Sequence, residues 1–281
     1  MPTKNLAKAL LQANIQQTQA IRGTVQRFAQ GQFYASGAYR TADQARFIDQ
    51  VAPVVLAGRQ QASQLTAAYL NQIISDATGK RSAIRSTVDP TMIRGVDVAD
   101  VYARPYEQVW YSLSQGATLD SAVSAGMARL NTLINSDMQL SKTQTSQDIL
   151  SNSPDSVIGY ERILGGDASC ALCIIASTQR YHRDDLMPIH NNCNCDVGPI
   201  IDTGKQIIYP ERLSSAHDMV EELTGNFDPS ARDVGLGFKT AGGKGADYAN
   251  IMITHNHGEL GPTIAFRGTP FVGPNDLTAA K

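Results

Sequence analysis

The chain has 281 residues, is 42% hydrophobic and 18% charged, and carries a formal net charge of −2. That composition is globular, with material for one large core or two ordinary ones. No apolar run approaches the roughly 18 residues that span a bilayer, and Met1-Pro-Thr-Lys-Asn-Leu6 opens a polar, Gln-rich segment unlike a signal peptide. The expectation is a soluble protein on the reducing side of a membrane, where clustered cysteines favour metal or free thiol over disulfide.

Charge is unevenly spread. Residues 1–150 hold 14 Lys/Arg and 10 Asp/Glu, whereas residues 151–281 hold 10 and 16. No acidic residue precedes Asp43, yet Lys4, Lys8, Arg22, Arg27 and Arg40 all do. Such an arm is a candidate to contact nucleic acid through phosphates. The alternative is a solvated helix face.

The first half reads as helices. Leu6 and Leu10, then Ile21, Val25 and Phe28, recur at helical spacing, with an apolar-poor stretch between them. Leu65, Tyr69 and Ile73 repeat at i+4 and stop at Gly79. Arg104-Pro105-Tyr106 and Trp110 predict a shorter helix with proline near its first position. Thr118 is placed to cap a long helix with the stripe Val123, Met127, Leu130, Ile134 and Met138, running on through Leu140 toward Ile149. Ser151-Asn-Ser-Pro-Asp155 clusters turn residues and marks a domain boundary, dividing 1–150 from 151–281.

Beyond it the period changes. Val157–Leu164 and Gln206–Tyr209 predict short strands, Leu213–Leu223 a helix, and Tyr248–Thr254 and Thr263–Arg267 further strands. Gly235–Gly245 is a Gly-rich loop, and Pro262–Pro274 an extended strap or hairpin. The fold class is α+β: a mainly helical first half and a smaller α+β domain with a metal-binding knuckle.

The chemistry concentrates in that second domain. All four cysteines lie within 26 residues, as Cys170-Ala-Leu-Cys173 and His190-Asn-Asn-Cys193-Asn-Cys195. A C-x2-C pair facing an H-x2-C-x-C cluster supplies the thiolate and imidazole set of a tetrahedral zinc site. Five candidates compete for four positions. Cys193 and Cys195 would point to opposite sides of an extended backbone, so a turn at His190-Asn191-Asn192 is needed for both to bind. The plain alternative is a cluster of small buried hydrophobes or an adventitious disulfide.

A hydrolase can be written from the same segment: Ser177 or Ser169 as nucleophile, His182 as base, Asp184 or Asp185 orienting it. No nucleophile elbow is present. His182-Arg183-Asp184 lacks the asparagine of a kinase catalytic loop, and Gly242-Gly-Lys-Gly245 fails the P-loop pattern. His255-Asn-His257 would share one strand face but reads best as a strand end entering the turn at Gly258 and Gly261-Pro262.

Cys170-Ala-Leu-Cys173 with Ala176-Ser177 close behind, His190-x-x-Cys193-x-Cys195 and Pro199 together resemble the C-terminal motif of Mu F-like phage head-morphogenesis proteins. These are minor capsid proteins of tailed bacteriophages. Two stretches are similar to the version in actinobacterial phages. One is Val101-Tyr-Ala-Arg-Pro-Tyr-Glu107 through the long helix with Leu140-Ser-Lys-Thr143. The other is His257-Gly-Glu-Leu-Gly-Pro262 with Phe271-Val-Gly-Pro274. The resemblance touches much of residues 100–281; residues 1–99 match only in being helical. It differs at Asn194, since a basic or aromatic residue often accompanies the second half of such motifs.

The resemblance implies a virion component inside the capsid, near the portal, present in the host cytoplasm during assembly. Its partners would be the portal and major capsid proteins and packaged DNA, with no membrane. Its zinc would be structural, fixing a loop-rich region, a role worth on the order of 10 kcal/mol. Relatives often carry the label capsid maturation protease, which makes the Ser/His hydrolase the alternative.

Overall fold

Helix α1 (Lys4–Tyr34) shows why the start of the chain looks apolar-poor. The computed structural model describes residues 4–165, 171–177, 180–187, 189–190, 193–201, 205–206 and 252–266. The inner face of α1 is Ala7, Leu11, Asn14, Thr18, Val25, Ala29 and Phe33, all buried. Two polar residues interrupt an apolar stripe of otherwise regular helical spacing. Thr18 satisfies its hydroxyl on the Asn14 carbonyl at 2.8 Å, and Asn14 reaches across the molecule, as described below.

Helix α2 (Thr41–Thr78) follows a turn in which the Arg40 amide donates to Asp43 Oδ2 at 3.0 Å. It ends where Gly79 takes the left-handed conformation, φ 69°, which glycine adopts without a Cβ penalty. Helix α3 (Val98–Ser114) starts earlier than its proline suggests. Asp97 caps it by accepting the Ala99 amide at 2.7 Å, so Pro105 lies inside the helix. Helix α4 (Leu119–Ser151) begins at Thr118, whose hydroxyl accepts the Ser121 amide at 3.3 Å.

The four helices pack as a bundle in which α4 touches each of the others. One core joins Phe33, Phe47, Tyr102, Tyr106, Leu130 and Ile134. Its centre is aromatic, with the Phe33 and Tyr106 rings 5.2 Å apart and edge-on, an arrangement the ring quadrupoles favour. The expected stripe of α4 serves this core through Met127, Leu130, Ile134 and Met138, with Val123 packed at its margin.

Beyond Ser136, α4 is buried nearly all round although most of its residues there are polar: Asp137, Gln139, Lys142 and Thr143 are each no more than 6% exposed. Burying such groups is tolerable only with partners. Asp137 takes both Arg59 and Arg94 as ion-pair partners and accepts the Tyr102 hydroxyl at 2.9 Å.

A second core combines Leu11, Leu70, Ile73, Leu140 and Ile149 from the helices with Val157, Tyr160, Ile163 and Val197 from the sheet. The sheet order is β2-β1-β3-β4, all neighbours antiparallel. Its strands are β1 (Val157–Ile163), β2 (Arg180–His182), β3 (Asp196–Ile201) and β4 (Lys205–Gln206), and a short helix α5 (Ala171–Ser177) lies between β1 and β2. A separate hairpin joins β5 (Met252–Asn256) to β6 (Pro262–Phe266). Its turn carries Gly258 and Gly261 at φ 80° and 68°, and the His257 amide donates to the Gly261 carbonyl at 2.9 Å. His255 is thus in the strand and His257 in the turn that follows.

Strands β2 and β3 and helix α5 had no clear signal in the sequence. Each is short, and Gly198-Pro199 inside β3 reads as a turn. The predicted helix Leu213–Leu223, the Gly-rich loop, and the parts of the predicted strands and strap at residues 207–209, 248–251 and 267–274 lie outside the described residues. No described helix is long and apolar enough to cross a membrane.

Candidate metal centre

Three chain segments converge beside the sheet. Helix α5 presents Cys173 from its first turn. His190 follows Ile189, which is held in a bridge to β6: its amide donates to the Pro262 carbonyl at 3.1 Å and its carbonyl accepts the Ile264 amide at 2.9 Å. The chain then turns, as the Cys193 amide donates to the His190 carbonyl at 3.0 Å. It returns Cys193 toward the imidazole before β3 begins at Asp196.

The ligand atoms of Cys173, His190 and Cys193 all lie within 4.8 Å of one another. Cys173 Sγ is 2.9 Å from His190 Nε2 and 3.3 Å from Cys195 Sγ. Tetrahedral bonds of about 2.3 Å to sulfur and 2.0–2.1 Å to nitrogen place ligand atoms roughly 3.5–3.8 Å apart. The Cys173, His190 and Cys193 atoms are thus gathered closely enough to share one ion, although the 2.9 Å and 3.3 Å contacts are tighter than a bound ion would set. Cys173, Cys193 and Cys195 are buried and His190 is half-buried, so an ion here would be enclosed by protein. This group can hold a metal ion.

The thiols act on one another. Hydrogen bonds from Cys173 and Cys195, together with Arg162 and His190, pull the Cys193 thiol well below its ordinary value against the effect of burial. The same hydrogen bonding pushes Cys173 up. One sulfur thus takes the negative charge most readily.

The helical bundle fixes the second half-site from behind. Gln139 of α4 donates to the Cys195 carbonyl at 3.0 Å. Lys142, one turn on, pairs with Asp196 Oδ2 at 3.0 Å, and Asn14 of α1 donates to Asp196 Oδ1 at 2.8 Å. Tyr69 of α2 donates to the Val197 carbonyl at 3.0 Å. The buried polar residues of α1 and α4 thus have a clear use: they hold the Cys193–Val197 segment. Gly165 passes so close that an added Cβ would collide with the Asn194 carbonyl.

Other sequence candidates fall elsewhere. Cys170 and Ser169 lie outside the described residues. Ser177 ends α5 and donates its hydroxyl to the Ile174 carbonyl at 2.7 Å. His182 Nδ1 is 3.3 Å from Asp184 Oδ2, with both side chains largely exposed. Among the described residues no hydrogen bond joins Ser177 to His182, and Asp185 offers its carbonyl to Tyr160.

The basic arm is divided. Arg27 and Arg40 are exposed and Lys8 is half-buried. The Lys4 side chain lies outside what is described. Arg22 is half-buried and donates to Asn194 Oδ1 at 2.9 Å, which ties it to the metal-site loop. Sequence reasoning missed Arg162, Gln139, Lys142 and Asp196. Only the run of polar residues through the predicted apolar helix after Met138 hinted at Gln139 and Lys142.

No family model, curated protein or solved structure matches the chain.

Proposed function

We propose that this chain is a minor capsid protein of a tailed bacteriophage, carried inside the head beside the portal, with a structural zinc in its Cys/His centre. The supporting observation is the gathering of Cys173, His190 and Cys193 within 4.8 Å, at the positions of the head-morphogenesis motif. Zinc suits the donors best: buried sulfur and imidazole groups match a borderline-soft ion with no redox chemistry. The ion would supply a cross-link between α5, the His190 turn and the segment before β3. The bundle then offers a long helical body for docking to the portal and major capsid proteins. Exposed Arg27 and Arg40 are left to face packaged DNA.

Co-expression with the portal and major capsid proteins of the phage that encodes the chain tests this reading. The expected result is recovery of the chain in purified heads, protected from added protease. Absence from heads would overturn it. A capsid maturation protease is the second reading, favoured by the contact between His182 and Asp184. Unprocessed capsid chains in Ser177→Ala or His182→Ala particles support that reading, and normal processing in both removes it.

A further inference from the structure

Strand β1 brings a permanent positive charge to the sulfur cluster. Arg162 is 2% exposed, with Nη1 3.9 Å from Cys173 Sγ and 3.8 Å from Cys193 Sγ. A guanidinium does not lose its proton in a protein. Arg162 stands opposite Val197 in the β1–β3 register, beside the segment that carries Cys193 and Cys195. The bundle anchors that segment and the strand anchors the arginine, so the two cannot drift apart independently.

The charge balance gives this placement a purpose. With Cys195, whose Sγ is 3.3 Å from Cys173 Sγ, taken as a fourth donor beside the Cys173, His190 and Cys193 group, a divalent ion would be held by three thiolates and a neutral imidazole, leaving one net negative charge in a buried site. One guanidinium cancels it. Its N–H groups also approach the sulfurs at the distance of charge-assisted N–H···S hydrogen bonds, which keep thiolate ligands oriented. We propose that Arg162 is the built-in counter-cation of the metal centre, positioning Cys173 and Cys193 as thiolates and neutralising the loaded site. The inference rests on the metal-binding reading of the cluster. Arg162 acts through the ligands and is not itself one.

The test uses the full chain, with zinc alone as the probe and a competing chelator to read affinity. Wild type is compared with Arg162→Met and Arg162→Lys. The expected result is a loss of zinc affinity of about 10- to 100-fold in Arg162→Met, the usual range for a residue supporting metal ligands, with most of it recovered in Arg162→Lys. The cobalt-substituted forms should share one thiolate charge-transfer spectrum, because the ligand set is unchanged. The rise in Tm on adding zinc should shrink in Arg162→Met, whereas a purely structural role would lower apo and loaded forms alike.

Zinc affinity in Arg162→Met within about twofold of wild type, with an equal rise in Tm, would overturn the proposal while leaving the metal site intact. Should Arg162→Met fail to fold, Arg162→Gln takes its place. A Lys variant weakened as much as the Gln variant then overturns the charge role. Wild type that binds no zinc removes the metal reading itself.

Discussion

Asp137 is the charge on which the helical bundle turns, and Asp137→Asn tests that directly. Its carboxylate is fully buried and pairs with Arg59 and Arg94, themselves only 1% and 3% exposed, while Tyr102 donates to it at 2.9 Å. Asparagine keeps the shape and one acceptor oxygen but removes the charge. Arg59 then keeps its contact to the Pro90 carbonyl at 3.1 Å, and Arg94 its ion pair with Glu259 at 3.5 Å. Breaking a buried pair by removing one partner costs about 3–5 kcal/mol; the retained acceptor argues for the lower end. At roughly 2–4 °C per kcal/mol for a chain of this size, Tm should fall by about 6–12 °C.

The assay is thermal and urea unfolding followed by circular dichroism, with Arg59→Met and the double variant alongside. The double variant should be less destabilised than the two single costs added together, because each single change leaves a buried charge behind. Acid adds a second readout. Burial would raise the Asp137 carboxyl, but Arg94 and Arg59 outweigh it and hold it below the usual carboxylate range. Its contribution is therefore complete above the unfolded-state value near 4 and is lost as pH falls through the lower folded value. An Asp137→Asn protein within about 1 kcal/mol of wild type, or with the same acid sensitivity, would refute the reasoning.

Two other sites give checkable outcomes. Glu259 fastens the β5–β6 turn to α3 through Arg104 at 2.8 and 2.6 Å. Burial would raise its carboxyl, but Arg104 and Arg94 hold it below its ordinary value. Glu259→Gln, or acid that protonates Glu259, should thus speed amide exchange in the hairpin relative to the bundle; unchanged exchange would contradict this anchoring. Gln139→Leu removes the donor to the Cys195 carbonyl and should cost about 1 kcal/mol or slightly more. It should also speed zinc release to a chelator, and a variant that releases zinc at the wild-type rate would show that the bundle does not support the site.

The helical half was legible because its apolar residues recur at helical spacing and its ends carry Thr118 and Gly79. The candidate centre was legible because its ligands are rare residues at close spacing, and His190-Asn-Asn-Cys193 announced its own turn. The start of α3 was misplaced because Pro105 fits a first turn by composition, whereas Asp97 supplies the cap. Arg162 was not legible. An arginine in a strand reads as solvent-facing until the tertiary fold brings Cys173 and Cys193 against it. The same holds for Asn14, Gln139 and Lys142, whose polarity suggested exposure until Cys195 and Asp196 supplied partners more than 50 residues away.

Metal content of the purified full chain, prepared under reducing conditions, tests the central claim most directly. Wild type should carry about one zinc per chain, held at the Cys173, His190 and Cys193 group, and Cys173→Ser and Cys193→Ser should each lose it. A metal-free wild type that takes up no added zinc, yet folds as well as either variant, would contradict the account.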